Sequence, residues 1–200
     1  MLPFARDGQG AVASLIKDWQ VNLVGSFQSG MPITVVDAAF GSVARINVNG
    51  VNQDRPDQIR SPKLDHPTVD QWFDITAFAP QDLGKPGNAK RNSVLGPGYK
   101  KVDLSFFKDF PLHGRATAQA RVEIFNLIDW PFFALPNNTF TQLQHTDGRL
   151  LTAAELAALR TTAVTPPDIV ASPAGGVGTI TTTAAGSAPR QVQFGLKLMF

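Results

Sequence analysis

Hydrophobic and polar residues alternate along five stretches of the chain, and each stretch has one apolar face and one polar or charged face. In the last stretch, RQVQFGLKLMF, one face of an extended strand carries Val192, Phe194, Leu196, Leu198 and Phe200. Gln193 and Lys197 fall on the other face. A period of two residues is the period of a β-strand and not that of a helix. The pattern therefore predicts half-buried strands, with little sign of a strand buried on both faces.

The five stretches predict where the strands lie. They are DWQVNLVGSFQSG, MPITVVD, YKKVDLSFFKDF, ATAQARVEIFNL and the terminal strand. We expect strands at about 18–37, 99–110, 116–128 and 190–200. Only the turn PLHG separates the third stretch from the fourth, which predicts a tight hairpin.

The remaining connections are long, at about 38–98 and about 129–189. Structureless loops of this length are rare in compact soluble domains. The second of them contains a predicted short helix, which Thr152 caps, Glu155 completes as a capping box, and Pro166 and Pro167 end. Long connections at one side of a sheet and short turns at the other are typical of outer-membrane barrels. The pattern predicts an all-β fold of antiparallel up-and-down strands from a transmembrane β-barrel, with long loops and one short helical insert.

Composition narrows the classes of function. The length of 200 residues is enough for one domain. The 18 Lys and Arg residues nearly balance the 16 Asp and Glu residues, so we expect no polybasic surface and no nucleic-acid partner. The chain has no cysteine, which excludes disulfides, thiolate metal sites and cysteine nucleophiles. Neither a G-x-S-x-G motif nor a Walker loop occurs, so the sequence predicts neither an enzyme nor a bound cofactor.

Three longer motifs carry a family resemblance: RNSVLGPGYKKVDLSFFKDF, RVEIFNLIDWPFF and RQVQFGLKLMF. In order, spacing and residue type they resemble the C-terminal barrel region of TonB-dependent outer-membrane receptors, in particular the Oar-like group, whose N-terminus carries a carboxypeptidase-regulatory-like domain. Earlier segments agree with the resemblance, among them Leu2-Pro3-Phe4, Ser29-Gly30-Met31-Pro32-Ile33, Arg55-Pro56-Asp57 and Trp72-Phe73-Asp74. One departure is Asp129-Trp130, which replaces the Asn-His usually found before the proline.

The resemblance implies a place in the bacterial outer membrane. Its strands would contact outer-membrane lipid, and its long loops would contribute to capture of an unknown extracellular substrate. Phe200 is similar to the terminal aromatic residue of the signal that the barrel-assembly machinery reads. A whole receptor of this class has a plug and about 22 strands, so we expect this chain to be a C-terminal segment that works with the remaining strands and plug of a parent receptor.

A second hypothesis belongs to another class of protein. The chain could be a stand-alone soluble β-rich module that binds carbohydrate or another ligand, or a hydrolase-type enzyme derived from such a segment. Solubility without detergent would favour this hypothesis. The loop carboxylates and histidines would then be the first residues to mutate.

Aromatic residues in the long connections are candidates for ligand contact, since aromatic faces can stack on sugars or on a protein ligand. The candidates are Trp72, Phe73, Phe78 and Trp130, with Phe132 and Phe133 beside the last. For the group around Trp130 we favour anchoring at the membrane interface or loop packing, because this group directly follows a strand end.

Histidines and carboxylates do not predict a metal site. The histidines are scattered and lie beside turn residues: His66, His113 and His145. Two acidic pairs resemble loop calcium ligands but lack a glycine-pivoted loop with a terminal bidentate Glu: Asp54 with Asp57, and Asp65 with Asp70. We expect these charges to be solvated.

The predicted hairpin also carries charged residues that we expect to form a ladder on its polar face. They are Asp103, Lys108, Arg121 and Glu123. Cross-strand pairs of this kind add modest stability and suit the polar interior of a barrel.

Overall fold

Strands dominate the computed structural model, which describes residues 17–39, 54–112 and 114–200. In chain order the strands are β1 (Trp19–Gln28), β2 (Pro32–Ile33), β3 (Val36–Asp37), β4 (Asp57–Gln58), β5 (Phe78–Ala79), β6 (Val94–Leu95), β7 (Tyr99–Pro111), β8 (Thr117–Phe125), β9 (Thr139–Phe140), β10 (Leu143–His145), β11 (Ile169–Ala171) and β12 (Gln191–Met199). The helix α1 is Ala153–Leu159, and Ile75–Ala77 forms a turn of 3₁₀-helix.

These elements belong to two compact units. Of the described residues, the first unit contains those up to Ser29 together with those of Gly98–Phe132 and Ala185–Phe200. The second unit contains the described residues of Gly30–Pro97 and Phe133–Ala184. The long strands β1, β7, β8 and β12 lie in the first unit, whereas the short strands and α1 lie in the second.

The first unit is a four-stranded sheet with the order β1-β7-β8-β12, and every neighbouring pair is antiparallel. Its register aligns apolar residues across the strands. Leu104 lies opposite both Leu23 and Ile124, and Ile124 in turn lies opposite Val192. Side chains alternate between the faces of a strand, so this register collects the apolar residues of all four strands on one face. The prediction of an antiparallel all-β fold is confirmed.

The hydrophobic core lies in the second unit. Among the described residues, every buried hydrophobic side chain belongs to this unit and none belongs to the four-stranded sheet. Both segments contribute to the core. Its largest fully buried apolar side chains include Val35, Phe73, Ile75 and Phe78 from the first segment and Phe140 from the second. The two segments that the sequence predicts as loops therefore fold together around one core.

Short strands and single hydrogen bonds join the two segments. β3 pairs in parallel with β9, and the Val36 N–H donates to the Asn138 carbonyl at 2.9 Å. The Trp72 N–H donates to the Gly178 carbonyl at 2.8 Å. β2 pairs with β6, β4 with β5, and β10 with β11, each pair antiparallel. Strands of two or three residues leave no alternation in the sequence, which is why the pattern does not predict this unit.

The strand predicted over about 18–37 is interrupted. β1 ends at Gln28, and the chain continues as the short strands β2 and β3 of the second unit. Gly30 accounts for part of the break, since a Cβ at this position would lie 1.8 Å from the Gly96 carbonyl oxygen. Only glycine allows two backbones to approach this closely.

The helical insert has the predicted N-terminal cap. The Thr152 hydroxyl accepts a hydrogen bond from the Glu155 N–H at 3.3 Å, and the Glu155 carboxylate accepts one from the Thr152 N–H at 2.7 Å. This reciprocal pair is a capping box, as the sequence predicts.

The predicted C-terminal end of the helix is wrong. α1 ends at Leu159 and does not extend to the prolines at positions 166 and 167. The hydroxyls of Thr161 and Thr162 donate to the Ala158 carbonyl at 3.0 and 2.9 Å. A carbonyl satisfied by these side chains no longer requires a further turn of helix.

Candidate functional site

One face of the four-stranded sheet is apolar and open to its surroundings. Its exposed members include Val21, Leu23, Phe27, Phe110, Val192, Phe194, Leu196 and Leu198. Leu23 is 68% exposed, Phe194 77% and Leu196 72%. Apolar surface in water costs about 25 cal/mol per Å² relative to burial. A face of this kind is stable only when an apolar medium or partner covers it.

Lysine and aromatic side chains mark both ends of this apolar face. At one end the Lys108 ammonium lies 5.8 Å from the centre of the Trp19 ring and 5.5 Å from that of Phe110. At the other end the Lys100 ammonium lies 4.8 Å from the centre of the Trp130 ring. Aromatic rings flanked by lysines are typical of the two interfaces between a membrane and water.

The distance between these ends is close to the height of the apolar band of a membrane barrel. Lys100 and Lys108 both lie in β7, and the strand between them rises by about 27 Å at about 3.4 Å per residue. Strands of membrane barrels tilt by roughly 35–45°, which reduces this to about 21 Å across the membrane. The apolar band of an outer-membrane barrel is about 25 Å tall. The apolar face between the two lysines therefore spans most of this band.

The opposite face of the sheet is polar and hydrogen-bonded. The Gln119 amide donates to the Asp109 carboxylate at 2.8 Å, and the Arg121 guanidinium donates to Gln119 at 2.7 Å. Lys101 forms an ion pair with Asp103 at 2.9 Å. This surface can face water, whereas the other cannot.

The predicted charge ladder is wrong in one member. Lys108 lies opposite Trp19 and Ala120, and thus on the apolar face. Its side chain is only 4% exposed, and its ammonium donates to the Lys17 carbonyl. Lys108 is an even-numbered residue of β7, like Leu104 and Phe106, so strict alternation places it on their face and not beside Asp103.

Asn126 organises the point where the chain leaves the sheet after β8. Its side-chain oxygen accepts from the Trp130 N–H at 3.1 Å. Its amide donates to the carbonyls of Trp130 and Ala188 at 3.3 and 3.0 Å. Its own N–H donates to the Asp103 carboxylate at 2.8 Å. The residue thus holds together β7, the Trp130 turn and the approach to β12.

The second unit contains a mainly apolar cleft with a volume of about 470 Å³. Its lining residues are Gln58, Ser61, Pro62, Lys63, Leu64, Pro67, Trp72, Phe73, Ser93, Val94, Leu95 and Gly96. The Trp72 indole N–H donates to the Leu95 carbonyl at 2.8 Å, which fixes the ring against β6. Phe73 is only 1% exposed, and its ring meets the edge of the Phe78 ring at 6.4 Å. The aromatic wall of the cleft is therefore anchored in the core.

Two polar side chains of the cleft lack a partner among the described residues: one lacks a hydrogen-bond partner and the other lacks an ion-pair partner. The Ser93 hydroxyl oxygen is buried and has no hydrogen-bond partner among the described residues. Lys63 is exposed, and no described carboxylate forms an ion pair with its ammonium. The Lys63 ammonium can therefore bind a ligand without first losing an ion-pair partner.

A cluster of charges joins the β10–β11 pair to α1. The His145 Nδ1 lies 2.7 Å from the Asp168 carboxylate, and an Arg149 nitrogen lies 2.6 Å from His145 Nε2. Arg149 also binds both carboxylate oxygens of Glu155, at 2.8 and 3.2 Å. The hydrogen bond from Arg149 holds the pKa of Glu155 well below its ordinary value, and the hydrogen bond from His145 lowers the pKa of Asp168.

This cluster is structural in its geometry. A histidine that acts as a general base needs a free ring nitrogen within reach of the proton it removes. Asp168 and Arg149 occupy the two ring nitrogens of His145. The cluster therefore ties β10 and the start of β11 to α1.

The predicted ligand-contact residues do not form one site. Trp72 and Phe73 line the cleft together. Phe78 is fully buried behind Phe73 and does not line the cleft. Trp130 lies in the first unit, at the end of the sheet with Lys100. Phe200 is 96% exposed and follows directly after β12.

Two further predicted aromatic residues serve local structure. Phe132 packs on Tyr99 in the first unit, with ring centres 4.7 Å apart, and Phe133 forms a β-bridge with Thr183 in the second. Sequence reasoning missed Lys63, Ser93 and Leu95 of the cleft. The density of prolines at 62 and 67 beside Trp72 was the available signal for a rigid surface pocket.

The acidic pairs differ in their surroundings. Asp54 accepts a hydrogen bond from the Gln81 amide at 2.7 Å, and Asp57 accepts one from the Asn88 N–H at 2.8 Å. Both therefore hold neighbouring segments in place. Asp65 and Asp70 are exposed. Across 17–39, 54–112 and 114–200, no group of three or more histidine and acidic side chains is arranged to hold a metal ion.

Some predicted features lie outside the described residues, namely His113 of the PLHG turn and the Leu2-Pro3-Phe4 segment. His66 is described and lies in an exposed bend. Within the described part of the chain, no helix is both long and apolar enough to cross a membrane.

Nearly the whole chain matches a known protein family. A family model described as "Outer membrane beta barrel domain" matches residues 1–193. The matched range includes the second unit and most of the four-stranded sheet. No curated protein and no solved structure matches the chain.

Proposed function

Because the chain belongs to the family of the outer membrane beta barrel domain, we propose that it supplies wall and external capture surface to a TonB-dependent receptor. The chain is a barrel-wall segment of a bacterial outer-membrane protein and contacts outer-membrane lipid. The observation that carries the proposal is the two-faced sheet, whose apolar face is exposed between two ends of lysine and aromatic residues. Its role is structural and transport-related, without catalysis.

The edges of the sheet point to a larger barrel. In the described residues, β1 and β12 each pair on one side only. The smallest common membrane barrels have about eight strands, and an unpaired strand edge is not stable in lipid. We therefore expect further strands of the parent receptor to pair with β1 and β12 and to close the wall. The polar face would line the interior, where a plug can contact it.

The direction of the strands supports a position of the two long segments outside the cell. Gln28 at the end of β1 pairs with Tyr99 at the start of β7, and Phe125 at the end of β8 pairs with Gln191 at the start of β12. Both long segments thus leave and re-enter the sheet at the same end. Outer-membrane barrels have long connections outside the cell and short turns in the periplasm. The β7–β8 turn would then be periplasmic, and the second unit would meet the substrate first.

The resemblance to TonB-dependent receptors supports the remaining parts of the proposal. The motifs from RNSVLGPGYKKVDLSFFKDF to RQVQFGLKLMF run in the order of the C-terminal barrel region of those receptors. Phe200 directly follows β12 and is exposed, which is compatible with contact to the barrel-assembly machinery. Uptake would require the plug and energy coupling of the whole receptor, with this chain contributing capture.

Cysteine labelling in intact cells tests the orientation. The chain has no natural cysteine, so Val164→Cys and Arg115→Cys of the full-length protein each give a single labelling site within it. Both positions are exposed, the first in the second unit and the second in the β7–β8 turn. A membrane-impermeant maleimide should label position 164 in intact cells and position 115 only after the outer membrane is opened. Labelling of position 115 in intact cells would contradict the proposal.

Energy coupling has its own test. The full-length receptor should co-purify with the isolated C-terminal domain of TonB, and truncation of the segment before the plug should abolish this interaction. If a full-length protein that retains barrel and plug does not bind TonB, with or without bound substrate, the assignment to TonB-dependent receptors is wrong. The proposed role as part of a barrel wall would not be affected.

A further inference from the structure

We propose that the cleft of the second unit binds a small organic monocarboxylate with an aromatic or branched aliphatic body. This inference rests on the proposed function, because it names the class of substrate that the external unit captures. It is argued from the size, the walls and the charge of the cleft.

The size and walls of the cleft suit a small organic molecule. Ligand pockets commonly have volumes of about 300–1,000 Å³ and are lined mainly by apolar and aromatic side chains with few polar groups. The cleft has about 470 Å³, and Leu64, Trp72, Phe73 and Val94 are among its apolar walls. An extended chain of many residues would exceed this volume, whereas one ring or one branched alkyl group fits it.

The hydrogen bond of the Trp72 indole N–H determines which contacts the side chain can make with a ligand. Its indole N–H is already bonded to the Leu95 carbonyl, so the side chain has no polar donor left for a ligand. What remains is the ring face, which prefers planar or branched apolar groups. A sugar, by contrast, needs several planar polar side chains around an aromatic platform, and among the described residues of the lining only Gln58 has an amide side chain.

The charge of the cleft selects an anion. Lys63 is the only ionisable side chain in the lining, and its ammonium has no ion pair among the described residues. Asp65 and Asp70 are close in the chain but do not line the cleft. A carboxylate can therefore accept a charge-assisted hydrogen bond from Lys63, which is stronger than a neutral one.

The number of charges in the cleft limits the ligand to one anionic group. The Ser93 hydroxyl oxygen is buried in the wall, out of reach of a ligand in the cleft. Among the described residues of the lining, Lys63 alone is ionisable, and one lysine matches a single carboxylate better than a polyanion.

Fluorine NMR of a fluorinated ligand pair tests the inference. The probes are 3-(4-fluorophenyl)propanoate and its uncharged amide, titrated into the full-length protein in lipid nanodiscs. We expect saturable binding of the acid at least tenfold tighter than binding of the amide. Lys63→Gln should weaken binding of the acid by about tenfold and leave binding of the amide unchanged, because only the acid loses a charge-assisted hydrogen bond.

Matched variants separate the cleft from general effects. Lys90→Gln removes another exposed lysine of the same unit that is not among the described residues of the lining, and it should leave both affinities unchanged. Leu95→Ala shortens an exposed wall residue and keeps the carbonyl that holds Trp72, so it should weaken acid and amide alike.

Three results would overturn the inference: equal binding of acid and amide, equal effects of Lys63→Gln and Lys90→Gln, or no saturable binding of the acid. The labelling of Val164→Cys in intact cells tests the proposed function separately. External labelling combined with equal binding of acid and amide would overturn the ligand class alone. Selective binding without external labelling would overturn external capture and leave the ligand class standing.

Discussion

Asn126 shows how much one residue can determine at the end of a strand. Its φ of 52° lies in the left-handed region, which asparagine and glycine tolerate better than other residues. The side chain then binds both the N–H and the carbonyl of Trp130. The sequence IFNLIDWP marks a turn after a strand, but it does not reveal that one asparagine makes these bonds, because they depend on the backbone angle.

Substitution of Asn126 should separate backbone strain from lost hydrogen bonds. Asn126→Gly loses the side-chain bonds but accepts the positive φ, whereas Asn126→Ala loses the bonds and also strains the backbone. We expect both variants to lower the free energy of unfolding, and the alanine variant by about 1–2 kcal/mol more. Urea unfolding of the full-length protein in lipid vesicles measures the difference. Equal stability of the two variants would show that the backbone angle is unimportant.

The pH dependence of the second unit should trace to Glu155. Its pKa is lowered mainly by the hydrogen bond from Arg149, and therefore the folded state binds a proton less readily than the unfolded state. The stabilising contribution is complete above about pH 4.3, the ordinary pKa of glutamate, and is lost as the pH falls towards the lower folded value. Glu155→Gln should lower the melting temperature at pH 7, and the gap to the natural protein should narrow below about pH 4. A gap that stays constant down to pH 3 would contradict the assignment.

Strand alternation is the part of the fold that the sequence predicts best. A long strand with one apolar face, such as β7 or β12, repeats its signal over nine or more residues. The capping box of α1 is also local, since Thr152 and Glu155 are three positions apart. Breaks are harder to predict. β1 stops at Gln28 partly because Gly30 meets the backbone of Gly96, a residue far along the chain.

Neighbouring positions of β1 should respond oppositely to a charge. Leu23 lies on the apolar face near the middle of the strand, and Asn22 lies on the polar face. Lysine on the lipid face of a barrel costs about 2–4 kcal/mol at the membrane midplane. Leu23→Lys should therefore lower the free energy of unfolding in lipid vesicles by about this amount, whereas Asn22→Lys should change it little. Similar losses at both positions would mean that both faces avoid charge.

At the scale of the whole molecule, the two units differ in whether their apolar side chains are buried or exposed. The second unit has a buried core drawn from both long segments, while the four-stranded sheet contributes no buried hydrophobic residue within the described part of the chain. Loop length and composition indicate where the second unit lies in the sequence. They do not indicate its core or cleft. The paired strands of this unit, such as β3 and β9, are only two residues long, and paired residues such as Val36 and Thr139 are about a hundred positions apart in the chain.

The side chains of β7 that point to opposite faces of the sheet should alternate in their exposure to lipid. Spin labels on single cysteines at Leu104, Ser105, Phe106 and Phe107 of the full-length protein in lipid vesicles report collisions with oxygen, which concentrates in lipid, and with a water-soluble nickel chelate. Positions 104 and 106 should favour oxygen, and positions 105 and 107 the chelate, although Phe107 is itself apolar. The same preference at all four positions, or the opposite phase, would contradict a membrane wall built from this sheet.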